Sequence, residues 1–264
     1  MNDIVFYALL ATLGTWLVTA LGAATVVLFK SPNPKILNLM LGFAAGVMIA
    51  ASFWSLLQPA IERAEAAGSM PAFLVATLGF LCGALFMWGS DKCVTYAQRR
   101  SALAQGEKNA RLNRIILLVL SITLHNIPEG MAVGVMYAGF LAGGTQITAA
   151  SALALSIGIA IQNFPEGAII SMPLRAEGQK KGRAFLGGVL SGVVEPAGAV
   201  LTILAAQFII PALPYLLSFA AGAMLYVVVE ELIPELSQGA HSNLGTVFFA
   251  VGFSVMMVLD VALG

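Results

Sequence analysis

The chain has 264 residues, of which 59% are hydrophobic and 10% are charged, and its formal net charge is zero. A soluble globular domain carries about 25% charged residues, so the composition excludes an ordinary soluble protein and predicts an all-α polytopic membrane bundle. The balanced charge gives no sign of a nucleic-acid partner. Cys82 and Cys93 form no CxxC pair and are interpreted as small packing residues rather than as a disulfide framework.

Eight apolar segments are long enough to cross a bilayer, which takes about 20 residues. In chain order they are 4–29, 36–58, 71–90, 114–138, 148–172, 184–209, 212–234 and 244–263. The short connections carry turn-forming residues such as Pro32, Gly143-Gly144 and Gly239. The first segment is interpreted as a span rather than a signal peptide, because Asp3 and no basic residue precedes it and its apolar run is too long. We expect one transmembrane domain over 1–264.

The basic residues predict the orientation of these spans. Twelve of the 13 Lys and Arg residues fall in or beside the first, third and fifth connections, and only Arg63 falls in the second. Because Lys and Arg concentrate in cytoplasmic loops, both termini are expected to be extracytoplasmic. The third connection, 91–113, is predicted to be a short basic cytoplasmic loop, and because it lacks histidine we do not expect it to buffer metal.

Small residues at helical spacing predict where helices approach closely, as GxxxG pairs do in membrane spans. Four such pairs are present: Gly42/Gly46, Gly79/Gly83, Gly130/Gly134 and Gly188/Gly192.

A six-residue motif occurs twice inside the apolar segments. HNIPEG at 125–130 is followed 37 positions later by QNFPEG at 162–167. A carboxylate in a span costs roughly 2.5–3.5 kcal/mol on the insertion scale and marks a functional site by default. His125 and Glu129 lie about one turn apart on one helix face. Because consecutive spans run antiparallel, the two motifs are expected to meet near the middle of the membrane.

Proline and further carboxylates extend this pattern. Pro128 and Pro165 each remove a backbone donor, and helices broken at mid-membrane are common in transporters. Glu195 follows the same pattern in the sixth span, whereas Glu230 and Glu231 lie nearer the cytoplasmic end of the seventh. With no Lys or Arg in the span cores, a divalent cation or protons must supply the positive charge.

The donor types indicate which cation. One imidazole with carboxylates and amide oxygens suits zinc, iron(II), manganese or cadmium. Calcium and magnesium favour oxygen alone, and copper(I) prefers sulfur ligands. The ion is expected to be a transported substrate, and no prosthetic cofactor is predicted.

At these residues the chain resembles the ZIP family of divalent-metal transporters, and above all its bacterial-type members. The resemblance extends to LGFAAG at 41–46 and to the acidic segment 231–235, and it covers nearly the whole chain. It implies eight spans, extracytoplasmic termini, a plasma- or inner-membrane location, and movement of metal into the cytoplasm.

The resemblance also implies a two-metal centre. Its first site would comprise His125, Glu129, Gln162 and Glu166. Its second would comprise Asn126, Asn163 and Glu195, with Glu129 and Glu166 bridging. Glu230 and Asp91 match exit-path positions, and Met48 and Ser52 could line the entrance. Where Asn163 stands, relatives often carry Asp, or a His/Glu pair, so the second site is less anionic here. Where Glu230 stands, some relatives carry His.

Other functions stay open at this point. A proton-coupled organic-solute permease and an intramembrane metal-dependent enzyme are the alternatives, although HExxH is absent and Asn126 stands where its Glu would be. A metal receptor without transport is a third option. We do not expect an enzyme. Divalent ions and the lipid bilayer are the expected partners, and a homodimer is left open.

Overall fold

The computed structural model describes residues 2–29, 33–104, 107–141, 147–176, 178–206, 210–237 and 243–263. Within those residues the predicted spans are recovered as helices in chain order. They are α1 (Asn2–Leu28), α2 (34–67), α3 (Ala72–Ala104), α4 (Glu107–Leu141), α5 (Ala149–Ala176), α6 (Lys181–Ser191 and Val194–Ala206), α7 (Leu213–Leu236) and α8 (Leu244–Leu263). The expected turns at Pro32, Gly143-Gly144 and Gly239 lie outside the described residues.

Seven helices of the described residues are long and apolar enough to cross a membrane. Their outer faces carry exposed leucines, such as Leu10, Leu17 and Leu21 on α1, which suit contact with lipid because lipid tails are as apolar as leucine. The chain is therefore a multi-pass integral membrane protein. α4 is the remaining predicted span, so the count of eight and the placement of the termini stay predictions.

The bounds of α3 and α4 show that the predicted loop at 91–113 is mostly helical. α3 continues as a helix to Ala104 and α4 begins at Glu107, so most of this segment is helical rather than a loop. Charged and polar residues such as Lys92 are good helix formers once a helix has started, and a hydropathy criterion does not detect them. Similarly, α2 extends past the predicted end at 58 to Ala67, where Gly68 ends it with a left-handed φ of 61°.

Two helices contain π-helical turns that the sequence pattern does not predict. They are Ser52–Leu57 in α2 and Val228–Leu232 in α7. Pro59 and Pro234 each follow within two residues, and because proline has no N–H, the carbonyl four residues earlier loses its usual donor. Such turns are frequent at functional sites, and the one in α7 carries Glu230 and Glu231.

The prolines of the repeated motifs do not interrupt their helices, because α4 runs through Pro128 and α5 through Pro165. The break occurs instead in α6, at Gly192 and Val193. Pro196 cannot donate to the Gly192 carbonyl, which accepts a 3.1 Å bond from Glu195 N instead. Glu195 consequently lies in the first turn of the second half of α6.

Glycine contacts pair the helices, and each predicted GxxxG pair lies at a close contact. A Cβ added at Gly46 would clash with the α8 backbone, one at Gly83 with α7, one at Gly134 with α6, and one at Gly188 with α1. The glycines of the repeated motifs also lie at close helix contacts. Gly130 packs against the backbone of Glu195, and Gly167 packs against the α1 backbone at Thr19.

These contacts divide the bundle into two groups of four helices. α1, α4, α5 and α6 pack on one another, and α2 with α8 and α3 with α7 form two further close pairs. The groups meet mainly where α2 contacts α5 and where α4 contacts α3 and α7. The repeated motifs belong to the first group, at the boundary with the second.

Candidate metal centre

The two repeated motifs meet where α4 packs against α5. Gln162 Nε2 donates a 2.7 Å hydrogen bond to Glu129 Oε1, and both side chains are buried. Glu166 lines the same cavity as Glu129. The structure thus brings Glu129, Gln162 and Glu166 together, as the spacing of the motifs predicts.

Buried oxygens without a donor are concentrated here. Among the described residues, those of the motifs are Glu129 Oε2, Gln162 Oε1, Asn163 Oδ1 and Glu166 Oε2. An unsatisfied buried acceptor costs about 1–3 kcal/mol, so four of them within these two motifs favour a bound positive charge. Two carboxylates and two amide oxygens form a donor set that suits a divalent cation.

Glu195 has a different environment, because protein groups already satisfy its carboxylate. Thr15 Oγ1 and Asn163 Nδ2 donate to Glu195 Oε2 at 2.7 and 2.8 Å. Thr19 Oγ1 donates to Oε1 at 3.4 Å. All four side chains are buried. The structure therefore brings Asn163 and Glu195 of the predicted second site together through a hydrogen bond.

Asn126, the third residue of that site, is directed to α6. Its Nδ2 donates to the Ser191 carbonyl at 3.3 Å, next to the break in α6, and its side chain is buried. Asn126 also lines the cavity described below, and its role as a ligand stays a prediction.

His125 lies between two carboxylates from outside the motifs. Its Nε2 is 3.3 Å from Asp91 Oδ1 on α3, and its Nδ1 is 2.9 Å from Glu231 Oε2 on α7. Ligand atoms of these three residues lie within 4.8 Å of one another, close enough to share an ion. Asp91 therefore lies against His125, and the α7 carboxylate in contact is Glu231, whereas Glu230 is exposed. A common site for His125 with Glu129, Gln162 and Glu166 stays a prediction.

A cavity of about 460 Å³ joins the two clusters. Glu129 and Glu166 line it together with His125, and it continues along the C-terminal parts of α5 and α7 as far as Pro173 and Glu235.

Thr15 and Thr19 of α1 escape prediction from the sequence, because hydroxyls in helices commonly bond only to their own backbone. The available signal is a polar stripe, since Thr12, Thr15 and Thr19 recur at helical spacing in an otherwise apolar span.

A second unpredicted polar pair joins α2 to α8. Ser55 Oγ donates to Asp260 Oδ1 at 2.5 Å, and both residues are buried. With Gln58 and Glu62 they line a separate cavity of about 230 Å³. A lone acid within the last span is the signal that points to Asp260.

Comparison with known proteins identifies relatives of this chain. The family model described as ZIP Zinc transporter matches residues 3–114 and 104–260. "Zinc transporter ZIP11" of Homo sapiens is 38% identical, with 98% of each chain covered. "Zinc transporter ZIPB" of Bordetella bronchiseptica is 41% identical over 98% of this chain and 82% of its own. "Zinc transporter GufA" of Myxococcus xanthus is 35% identical over 97% and 98%.

The match spans almost the whole chain and includes both repeated motifs, and the matching family is one of transporters rather than enzymes. The similarity leads to one assignment, with which the buried unpaired oxygens and the cavity beside them are consistent: the chain belongs to the ZIP zinc-transporter family.

Proposed function

We propose that this protein moves zinc across a cell membrane into the cytoplasm, with iron(II), manganese and cadmium as further substrates. The observation that carries the proposal is the set of four donor-free buried oxygens on Glu129, Gln162, Asn163 and Glu166. Their positions at the boundary between two helix groups suit an ion that is held briefly and then released.

The release route follows the cavity. His125, held by Asp91 and Glu231, would take the ion from the buried oxygens and pass it to the exposed carboxylates Glu230 and Glu235. A binding site of intermediate strength at each step permits both entry and departure. Protons that compete for Glu129 would aid release, because metal and proton bind the same carboxylate.

We further propose eight spans within one transmembrane domain, with extracytoplasmic termini in the plasma or inner membrane. The distribution of Lys and Arg supports this orientation. Movement of α1, α4, α5 and α6 against the other four helices would expose the centre alternately to each side, as in many transporters. A homodimer stays a prediction. The resemblance implies a second ion, and its occupancy depends on Glu195, whose oxygens already accept bonds from protein donors.

Zinc uptake by purified protein in liposomes tests the proposal. We expect uptake by the wild type, strong loss in a Glu129→Ala, Glu166→Ala double variant, and normal uptake with Glu65→Ala, which removes an exposed carboxylate away from the centre. Uptake that survives the double substitution would contradict the proposal. Parallel measurements with iron(II), manganese, cadmium and cobalt give the selectivity, and competition by organic solutes separates a metal transporter from a solute permease.

A further inference from the structure

The hydrogen bonds around Glu195 limit how many ions the centre can hold. A carboxylate oxygen has about two lone-pair directions, and Oε2 of Glu195 already receives one donor from Thr15 and one from Asn163. An ion could bind this oxygen only by displacing a buried donor, which would then be left unsatisfied. Oε2 therefore makes a poor metal ligand.

The other oxygen of Glu195 is enclosed by protein. Oε1 accepts from Thr19, and it packs against Gly192 so closely that a Cβ there would lie 2.9 Å from Oε1 and 2.9 Å from Trp16 Cδ1. Gly192 thus makes room for the carboxylate at the break in α6, and Trp16 covers that side.

The balance of charge also favours a single divalent ion. One divalent ion neutralises Glu129 and Glu166, while Glu195 is compensated by its three donors and by a helix N-terminus equivalent to roughly +0.5 charge. A second divalent ion would leave excess positive charge in a buried site. An aspartate at 163 would change this balance, because four carboxylates match two divalent ions.

The hydrogen bond to Glu195 also fixes the orientation of the Asn163 side-chain amide. Because Nδ2 is the atom that donates to Glu195, Oδ1 is directed elsewhere and is one of the donor-free oxygens. We propose that Glu195 is a positioning residue, which with Thr15 holds Asn163 Oδ1 toward the ion, and that the centre of this protein binds one divalent ion rather than two. This inference rests on the proposed function and specifies the site's stoichiometry.

Equilibrium dialysis of the full-length protein with zinc, followed by elemental analysis, counts the bound ions. We expect about one zinc per chain for the wild type and about two for Asn163→Asp. Repeating both measurements with His125→Gln added keeps an ion held by His125, Asp91 and Glu231 out of the count. Asn33→Asp is the matched control and is expected to stay at about one. It makes the same change at an exposed helix N-cap where Asp also caps well. Glu195→Gln should keep about one ion while weakening affinity by roughly 10–100-fold, as loss of an outer hydrogen-bond partner does.

A double-mutant cycle tests the positioning role directly. If Glu195 acts through Asn163, then Glu195→Gln should have little further effect on affinity in an Asn163→Ala background. Two zinc ions that remain bound when His125 is replaced by glutamine would overturn the inference and leave the proposed function intact. Wild-type protein that binds no zinc would contradict the proposed function itself, and the inference with it.

Discussion

Replacing Gly130 by alanine tests whether the motif requires close contact between α4 and α6. A Cβ at Gly130 would lie 2.7 Å from Glu195 Cα and 2.9 Å from its carbonyl carbon. Carbon atoms pack at about 3.5–4.0 Å, so the two helices would have to separate by roughly 1 Å. Because Glu195 is bonded to α1 through Thr15, this separation would also disturb the hydrogen bonds beside the centre.

The expected cost follows from these distances. Overpacking a well-packed interior costs typically about 1–3 kcal/mol, and the better helix propensity of alanine offsets up to about 1 kcal/mol. Gly14→Ala is the matched control, since a Cβ at this α1 position would have no atom within 4 Å. The control gains the propensity and meets no clash, so the two variants should differ by about 1–3 kcal/mol.

Thermal unfolding of the purified variants in detergent measures this difference. We expect Gly130→Ala to melt below the wild type and to gain less stability from added zinc, while Gly14→Ala melts at or above the wild type. Equal melting temperatures for the two variants would show that α4 and α6 do not pack as described.

Three further results are expected. Arg63→Gln should lower stability by about 1 kcal/mol, because it removes the 2.8 Å hydrogen bond from Arg63 Nη2 to the Gly139 carbonyl. This bond joins α2 to the end of α4, and an unchanged melting temperature would refute its contribution. His125→Gln, which makes the two motifs alike, should retain zinc in dialysis but slow its uptake into liposomes, whereas loss of binding would place His125 in the primary site. Zinc affinity should fall as the pH is lowered from neutral, because Glu129 and Glu166 must be deprotonated to bind metal; titration calorimetry that shows no pH dependence would contradict these ligands.

The meeting of the two motifs can be predicted from the sequence, because carboxylates in apolar spans are costly and their spacing fixes which helix face they share. The pairing of Glu129 with Gln162 follows from that pattern. The glycine contacts can also be predicted from the sequence, since Gly46 and Gly134 belong to pairs at the spacing of one helical turn.

The contacts of His125 cannot be predicted in the same way. The sequence places His125 above Glu129, but the direction of the ring depends on α3 and α7, which supply Asp91 and Glu231 from distant parts of the chain. The hydroxyls around Glu195 are hidden for a similar reason, because Thr15 could satisfy itself within its own helix. Long-range packing decides these contacts, and periodicity carries no information about it.

The two copies of the motif consequently differ in their contacts more than in their sequence. Gln162 turns inward and bonds to Glu129, so the second copy closes the buried centre. His125 lies against Asp91 and Glu231, on the cavity that Glu129 and Glu166 also line. If the ion leaves along this cavity, as we propose, the group with the strongest preference for transition metals lies on its route. Selectivity in such an arrangement would arise from the transfer of the ion as much as from its initial capture.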